Sequence, residues 1–217
     1  MFTIKREANE REAAEGMDRI AKGLFKPIYP VIAENAVDET GIREGVCLDA
    51  GSGPASLAIA MAEYPFRIFA LDHSPVSNEI AEKNIGEVAL SGRINVIEGA
   101  VEEIPLESGT VDLVVSRGSI FFWEDHGKAF SEIERVLKPG GKTYIGGGFG
   151  NAILRDSIVS EMIRKNPEWE ERYIKNTSGE MRQKFRNAVS KLKECSVRYI
   201  DDDTGFWIVL EKKVSAQ

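Results

Sequence analysis

Asp49, Gly51 and Gly53 stand in the stretch VCLDAGSGPASLAIAMA (46–62), where an apolar run passes through two glycines into a second apolar run. Between a buried strand and a helix, such a turn lets the backbone approach an anionic or nucleoside-like ligand. Asp72 closes the next apolar run, FRIFALD, about 20 residues beyond the glycines, where an acid can accept hydrogen bonds from both ribose hydroxyls. The chemistry on offer is the grip of a nucleoside, and the glycine spacing bears on what hangs from it. A dinucleotide turn wants Gly-x-Gly-x-x-Gly, and Ser56 occupies the third place. A P-loop ends in Gly-Lys-Ser/Thr, and no lysine lies between Gly51 and Ala62. Asp49 would repel a pyrophosphate but suits the ammonium of an amino-acid moiety. Ribose recognition alone does not separate the two kinds of ligand.

Two further stretches follow apolar runs: SRGSIFFWEDH (116–126) and GGGFGN (146–151). Arg117 can hold a carboxylate or phosphate, or pair with an Asp or Glu. Phe121, Phe122 and Trp123 can wall an apolar pocket, with core packing expected for at least two of them. His126 can act as a base, but a surface histidine in the first turn of a helix is the expectation. Glu124 and Asp125 read as helix-start residues. The glycine run admits close approach by a substrate or another element, or a hinge, and both readings stay open. Two distant cysteines, Cys47 and Cys195, and two histidines match no metal-ligand spacing, so no metal is expected. Cys47 lies inside an apolar run and reads as a small buried hydrophobe.

These residues are positioned by an alternation of strand and helix. Residues 6–39 read as helix with breaks near Gly23 and Pro27, since Met17, Ile20, Leu24, Ile28, Val31 and Ile32 fall at helical spacing. VCLDA, FRIFALD, INVIEGA, TVDLVVSRG and KTYIGGG read as five strands. ASLAIAMAEY is a helix whose first turn Pro54 can take, NEIAEKNIGEVALSG a helix closed by Gly92, and HGKAFSEIERVLKPGG a helix capped by Asp125 and stopped by Pro139. That rhythm over 46–148 implies a parallel sheet with helices on both faces. Residues 151–193 are helical in character. CSVRYIDDDTGFWIVLEKK then reads as an antiparallel hairpin, because too few residues separate its two runs for a crossover helix.

With 217 residues and 42% hydrophobic content the chain can bury one sizeable core. A net charge of −7 disfavours nucleic-acid binding, which normally needs a basic surface. The first residues are charged from Lys5 onward, without the apolar centre of a signal peptide, and no run approaches the roughly 18 apolar residues of a membrane span. The expectation is a soluble cytoplasmic protein that engages no membrane.

In LDAGSGPASLAIA, ALDHSP, EGAVEEIPLESGTVDLVVSR and EIERVLKPGGKTYI, in this order and spacing, the chain resembles the class I methyltransferases that use S-adenosylmethionine (SAM). The last two segments resemble the small-molecule enzymes of the quinone C-methylating and arsenite-methylating type, although the cysteine set of an arsenite enzyme is missing. The resemblance covers most of 45–148. It implies an α/β, Rossmann-like fold with a seven-stranded, mostly parallel sheet, an antiparallel last strand and helices on both faces. It divides a single domain into N-terminal helices (1–44), a SAM-binding core (45–150), a helical cap (151–193) and a terminal hairpin (194–217). Asp49, Gly51, Ser52 and Gly53 match the loop around the methionine part of SAM, Asp72 the ribose acid, and His73 the side chain packed on the adenine. Where the family often has Gly-Asp-Ala, this chain has Gly99, Ala100 and Val101. The Val101 N–H then serves the adenine and Glu102 stands in for the acid. Ala55 stands where relatives often have a third glycine. Ser116 falls where the family lines the methyl-transfer site; Arg117, Trp123 and His126 are substrate candidates, and no catalytic base is assigned. Met162, Trp169, Tyr173 and Phe185 can shape the cap, while the Lys and Arg between 172 and 193 are expected on a solvated helix face. The implied activity is methyl transfer to a small-molecule acceptor. The alternatives are a SAM-binding regulatory or scaffold protein, and a nicotinamide dehydrogenase, against which Ser56, the single mononucleotide half and the hairpin all speak.

Overall fold

The computed structural model describes residues 2–214, with side chains described for 8–214. Helices α1 (Phe2–Lys22) and α2 (Ile28–Thr40) lead into β1 (Gly45–Ala50), α3 (Ser56–Met61), β2 (Phe66–Asp72), α4 (Pro75–Glu87), β3 (Ile94–Glu98) and β4 (Val111–Arg117). After a short 3-10 turn at Ser119–Phe122 come α5 (His126–Val136), β5 (Leu137–Gly148), α6 (Ala152–Lys165), α7 (Glu168–Asn176) and α8 (Gly179–Val189). The chain finishes with the hairpin β6 (Cys195–Asp202) and β7 (Gly205–Lys212).

The seven strands form one sheet in the order β3-β2-β1-β4-β5-β7-β6. The first five are parallel, and β7 runs antiparallel to both β5 and β6. Strand side chains alternate between the two faces. Cys47, Leu113, Tyr144 and Trp207 therefore join the apolar layer under α2 and α3, while Leu48, Val114, Ile145 and Ile208 join the layer under α5 and α8. Both faces are covered, which is why these strands read as unbroken apolar runs. Strand order reverses between β1 and β4, and a crevice opens there at the carboxyl edge. Among the described residues no helix is long and apolar enough to cross a membrane.

Several boundaries differ from the sequence reading. Helix α5 stops at Val136, not at Pro139, because Leu137 turns extended (φ −62°, ψ 135°), is fully buried and opens β5. Helix α4 ends at Glu87, well before Gly92: the Leu90 N–H reaches back to the Ile85 carbonyl (3.1 Å) across Ala89, which takes a left-handed φ of 58°. Helix α3 starts only at Ser56, since Ala55 is also left-handed (φ 63°), so Pro54 lies outside it. Asp125 does cap α5, accepting the Lys128 N–H at 3.0 Å. The glycine run is no hinge. A Cβ on Gly146 would sit 2.0 Å from the Phe206 carbonyl oxygen, and one on Gly147 2.8 Å from the Phe121 ring. The other element admitted is β7, drawn tight against β5.

Candidate functional site

The carboxyl ends of β1, β2, β4 and β5 share a cavity of about 980 Å³, with walls completed by α1, α2 and the three helices α6–α8. The strand-to-helix loops build its floor. Gly51 and Ser52 both donate their N–H groups to the Leu71 carbonyl at 2.8 Å, which staples the first loop to β2. Gly51 is required here: its φ is +73° and a Cβ would fall 2.4 Å from the Ser119 Cβ. Gly53 donates its N–H to Asp72 Oδ2 (2.9 Å), and a Cβ there would meet nothing within 4 Å, so this edge faces open cavity.

Asp49 is 2% exposed and accepts the Ala58 N–H at 3.0 Å. Burial pushes its carboxyl up to about 7, with the nearby Asp72 charge adding to the rise and the Ala58 bond opposing it. A buried acid held so close to neutrality favours a cation. Asp72 accepts N–H groups from Gly53 on Oδ2 and Ser74 on Oδ1 (3.0 Å), leaving lone pairs on both oxygens. The cap of α4 is Ser74, whose Oγ accepts the Ser77 N–H and donates to Glu10 of α1. Asp72 is thus not used as a helix cap. Ser52 Oγ is buried against the same cavity with no hydrogen-bond partner among the described residues. This donor set suits a nucleoside carrying a cationic tail: two oxygens fixed for a diol, one carboxyl tuned for an ammonium, and a hydroxyl without a protein partner.

The remaining predicted residues divide. His73 (side chain 80% exposed) and Val101 both line the cavity. Glu102 lines it too, yet its Oε1 accepts N–H groups from Glu124 (2.8 Å) and Asp125 (3.2 Å), tying two loops together. Trp123 lines it edge-on to Phe130 and donates Nε1 to Ser119 Oγ at 3.2 Å. Ser116 is fully buried behind the wall, bonded to Ser119 Oγ at 2.5 Å; Ser119 is the serine that reaches the cavity. His126 is no surface residue. It is 5% exposed, bonded through Nε2 to the Ile120 carbonyl (2.8 Å) and packed on Trp123 and Phe185, and burial lowers its pKa. It does not line the cavity, so a base role there is overturned.

Arg117 does line the cavity. Its Nε donates to the Gly148 carbonyl (3.1 Å), and its guanidinium carbon lies 4.6 Å from the Phe25 ring centre and 5.2 Å from that of Phe149. Phe149 continues into Tyr173, which stacks on Trp169 at 5.1 Å. Met162 and Phe185 also face the cavity. Of the basic stretch, Arg172 and Arg182 enter the wall, Arg182 pairing with Asp201 at 3.1 Å, while Lys184, Lys191 and Lys193 are exposed. Ser119 and Phe149 lie inside the two stretches singled out from the sequence, 116–126 and 146–151, without having been named individually. Sequence reasoning missed Tyr29 and Phe25, which come from a distant segment and carried no signal.

A family model described as a methyltransferase domain matches residues 48–145. A solved structure from Methanococcus maripaludis, provisionally assigned as an S-adenosyl-L-methionine-dependent methyltransferase, is 52% identical. That comparison covers 95% of this chain and 94% of that one, with a TM-score of 0.92. The chain is also 35% identical over 124 residues to 2-methyl-6-phytyl-1,4-hydroquinone methyltransferase 1 of Oryza sativa, covering 57% of this chain and 36% of that one. Sarcosine/dimethylglycine N-methyltransferase of Aphanothece halophytica is 36% identical over 95 residues, 43% of this chain and 34% of that one. The chain spans about a third of the length of the first curated relatives it matches. With the seven-stranded sheet and its antiparallel β7, these matches place the chain in the class I S-adenosylmethionine-dependent methyltransferase family, whose cofactor is SAM.

Proposed function

We propose that this chain moves a methyl group from SAM to a small-molecule acceptor by in-line displacement. The observation that carries the reading is one cavity in which a carboxylate wall, Asp49 and Asp72, meets an aromatic wall built from Phe25, Phe149, Trp169 and Tyr173. When bound, SAM supplies a methyl activated by the sulfonium and a good leaving group. Asp72 accepts the ribose hydroxyls, Asp49 holds the ammonium, and Ser52 with the glycine edge at Gly51 and Gly53 cradles the methionine part. His73 covers the adenine from the rim, the Val101 N–H serves a ring nitrogen, and the second oxygen of Glu102 stands in for the acid absent at Ala100. Ser119, not Ser116, borders the transfer site. Aromatic walls exclude water and hold the acceptor against the methyl, and orientation of this kind can contribute about 7–11 kcal/mol. A base matters only where the nucleophile must lose a proton, at about 100- to 10,000-fold.

A ring carbon, an amine or a thiol would each suit these walls, and the relatives' names span quinone and amino-acid acceptors. The net charge of −7 speaks against nucleic acid as acceptor, and two buried unpaired thiols, Cys47 and Cys195, suit a reducing cytoplasm. Calorimetric titration with SAM and S-adenosylhomocysteine (SAH), then turnover of labelled SAM over an acceptor panel, tests the reading. Binding without turnover across a broad panel would favour a SAM-binding regulator. Tight NADH binding without SAM affinity would overturn the family chemistry for this chain.

A further inference from the structure

Arg117 has no carboxylate within ion-pairing distance among the described residues; of the other arginines that line the cavity, Arg155 pairs with Asp156 and Asp203 and Arg182 with Asp201, while Arg172 is unpaired among those residues but exposed. Its one hydrogen bond among those residues uses Nε, toward Gly148. The guanidinium sits in the corner formed by Phe25 and Phe149, whose rings meet at 90° with centres 5.9 Å apart. What remains is the terminal edge of the fork, its two nitrogens without a partner among the described residues, on a residue of the cavity wall. Burial lowers the Arg117 pKa, a sign that the cation stands where water screens it poorly. Such a site is costly for an isolated protein and pre-organised for a planar anion.

We propose that the acceptor carries a carboxylate, gripped end-on by the two terminal nitrogens of Arg117 while the aromatic wall Phe149–Tyr173–Trp169 packs the apolar body attached to it. The proposal rests on the methyltransferase reading and names the acceptor's class within it. A carboxylate matches the site better than a phosphate dianion. Of the cavity arginines without an acidic partner among the described residues, Arg172 is exposed, whereas Arg117 is part-buried against two rings; the sheltered fork has one flat free edge, which fits one planar monoanion. Tyr29 also lines the cavity wall, where burial raises its pKa and the Arg117 charge opposes that rise. Phe25 has a second consequence. It sits in the turn between α1 and α2, so the anion site is complete only when the N-terminal helices are docked.

The test uses the full chain saturated with SAH and titrated with pairs of matched probes: benzoate against benzamide, and 3-phenylpropanoate against its amide. The wild type is expected to prefer the acid by at least about tenfold, as for a charge-assisted bidentate contact. Arg117→Met should abolish the preference, and Arg117→Lys should restore only part of it, because a point charge does not reproduce the fork. SAH affinity in both variants should stay within about threefold of wild type, which also reports that the fold is intact. No preference for the acid in SAH-loaded wild type, or no binding of either probe at millimolar concentration, overturns the proposal. A second overturning result would give Arg117 to the cofactor's own carboxylate: Arg117→Met weakening SAH strongly while leaving 5′-methylthioadenosine, which lacks the amino-acid tail, unaffected. Failure of wild type to bind SAH at all would instead remove the methyltransferase reading beneath it.

Discussion

Asp49 gives the cofactor site a pH dependence whose size follows from its burial. Its carboxyl titrates at about 7 in the folded chain, against an ordinary value of 3.8. Holding a ligand ammonium requires the ionised form. The ionised fraction is about 3% near pH 5.5 and about 75% near pH 7.5, while the ammonium of SAH, a free amino acid more basic than a peptide α-amino group, stays protonated across the range. SAH affinity should therefore rise roughly 15- to 25-fold between those two pH values. Stability of the unliganded protein should move the other way. Through the window from about 4 to about 7 the unfolded chain has released this proton and the folded chain has kept it, so raising pH favours unfolding, by about 4 kcal/mol in all at the upper end. Calorimetric titrations with SAH across that range, beside urea unfolding of the unliganded protein, read both effects. Asp49→Asn keeps an acceptor for the Ala58 N–H and removes the charge. It should bind SAH about tenfold or more weakly at neutral pH, lose the acid-side pH dependence, and unfold at higher urea than wild type near pH 7.5. A flat wild-type affinity over this range, or the same slope in Asp49→Asn, would refute the assignment of the ammonium to this carboxylate.

Other substitutions probe separate parts of the construction. Asp72→Ala should weaken SAH at least about tenfold in calorimetry, through loss of two charge-assisted bonds to the ribose, with far-UV circular dichroism unchanged; an unaltered affinity would put the ribose elsewhere. Gly146→Ala drives a Cβ to 2.0 Å from the Phe206 carbonyl oxygen and should part β7 from β5, lowering the thermal midpoint by at least several degrees. Ala89→Gly relieves a left-handed φ of 58° at the exposed end of α4 and should stabilise by about 1 kcal/mol in urea unfolding, where a loss of stability would show that the turn is not strained.

What could be read directly was whatever depends on neighbours in the chain. Apolar runs bounded by glycines mark strands buried on both faces; Asp125 before an amphipathic run marks a helix start; two β-rich runs around DDDTG leave room only for a hairpin. Asp49, Gly51, Gly53 and Asp72 belong to the same class, because a strand-to-helix turn and the end of the next strand are local features that the parallel sheet brings side by side in a fixed way. The three-dimensional packing decided the rest. Ser116 is buried on β4 while Ser119 opens the 3-10 turn beside the cavity, where the close approach at Gly51 holds it. His126 looked like a solvated helix start until Phe185, from α8 nearly 60 residues later, closed over it. Gly146 and Gly148, at the end of β5, owe their smallness to β7 and the turn before it, which enter the sheet from the far end of the chain. Arg117 is defined by what does not neighbour it in sequence: Phe25 from before it, Phe149 from after it, and no ion-paired acid among the described residues. A pattern in one dimension carries periodicity and turn chemistry. It carries no record of which distant rings will enclose a charge, because that depends on the packing of whole elements.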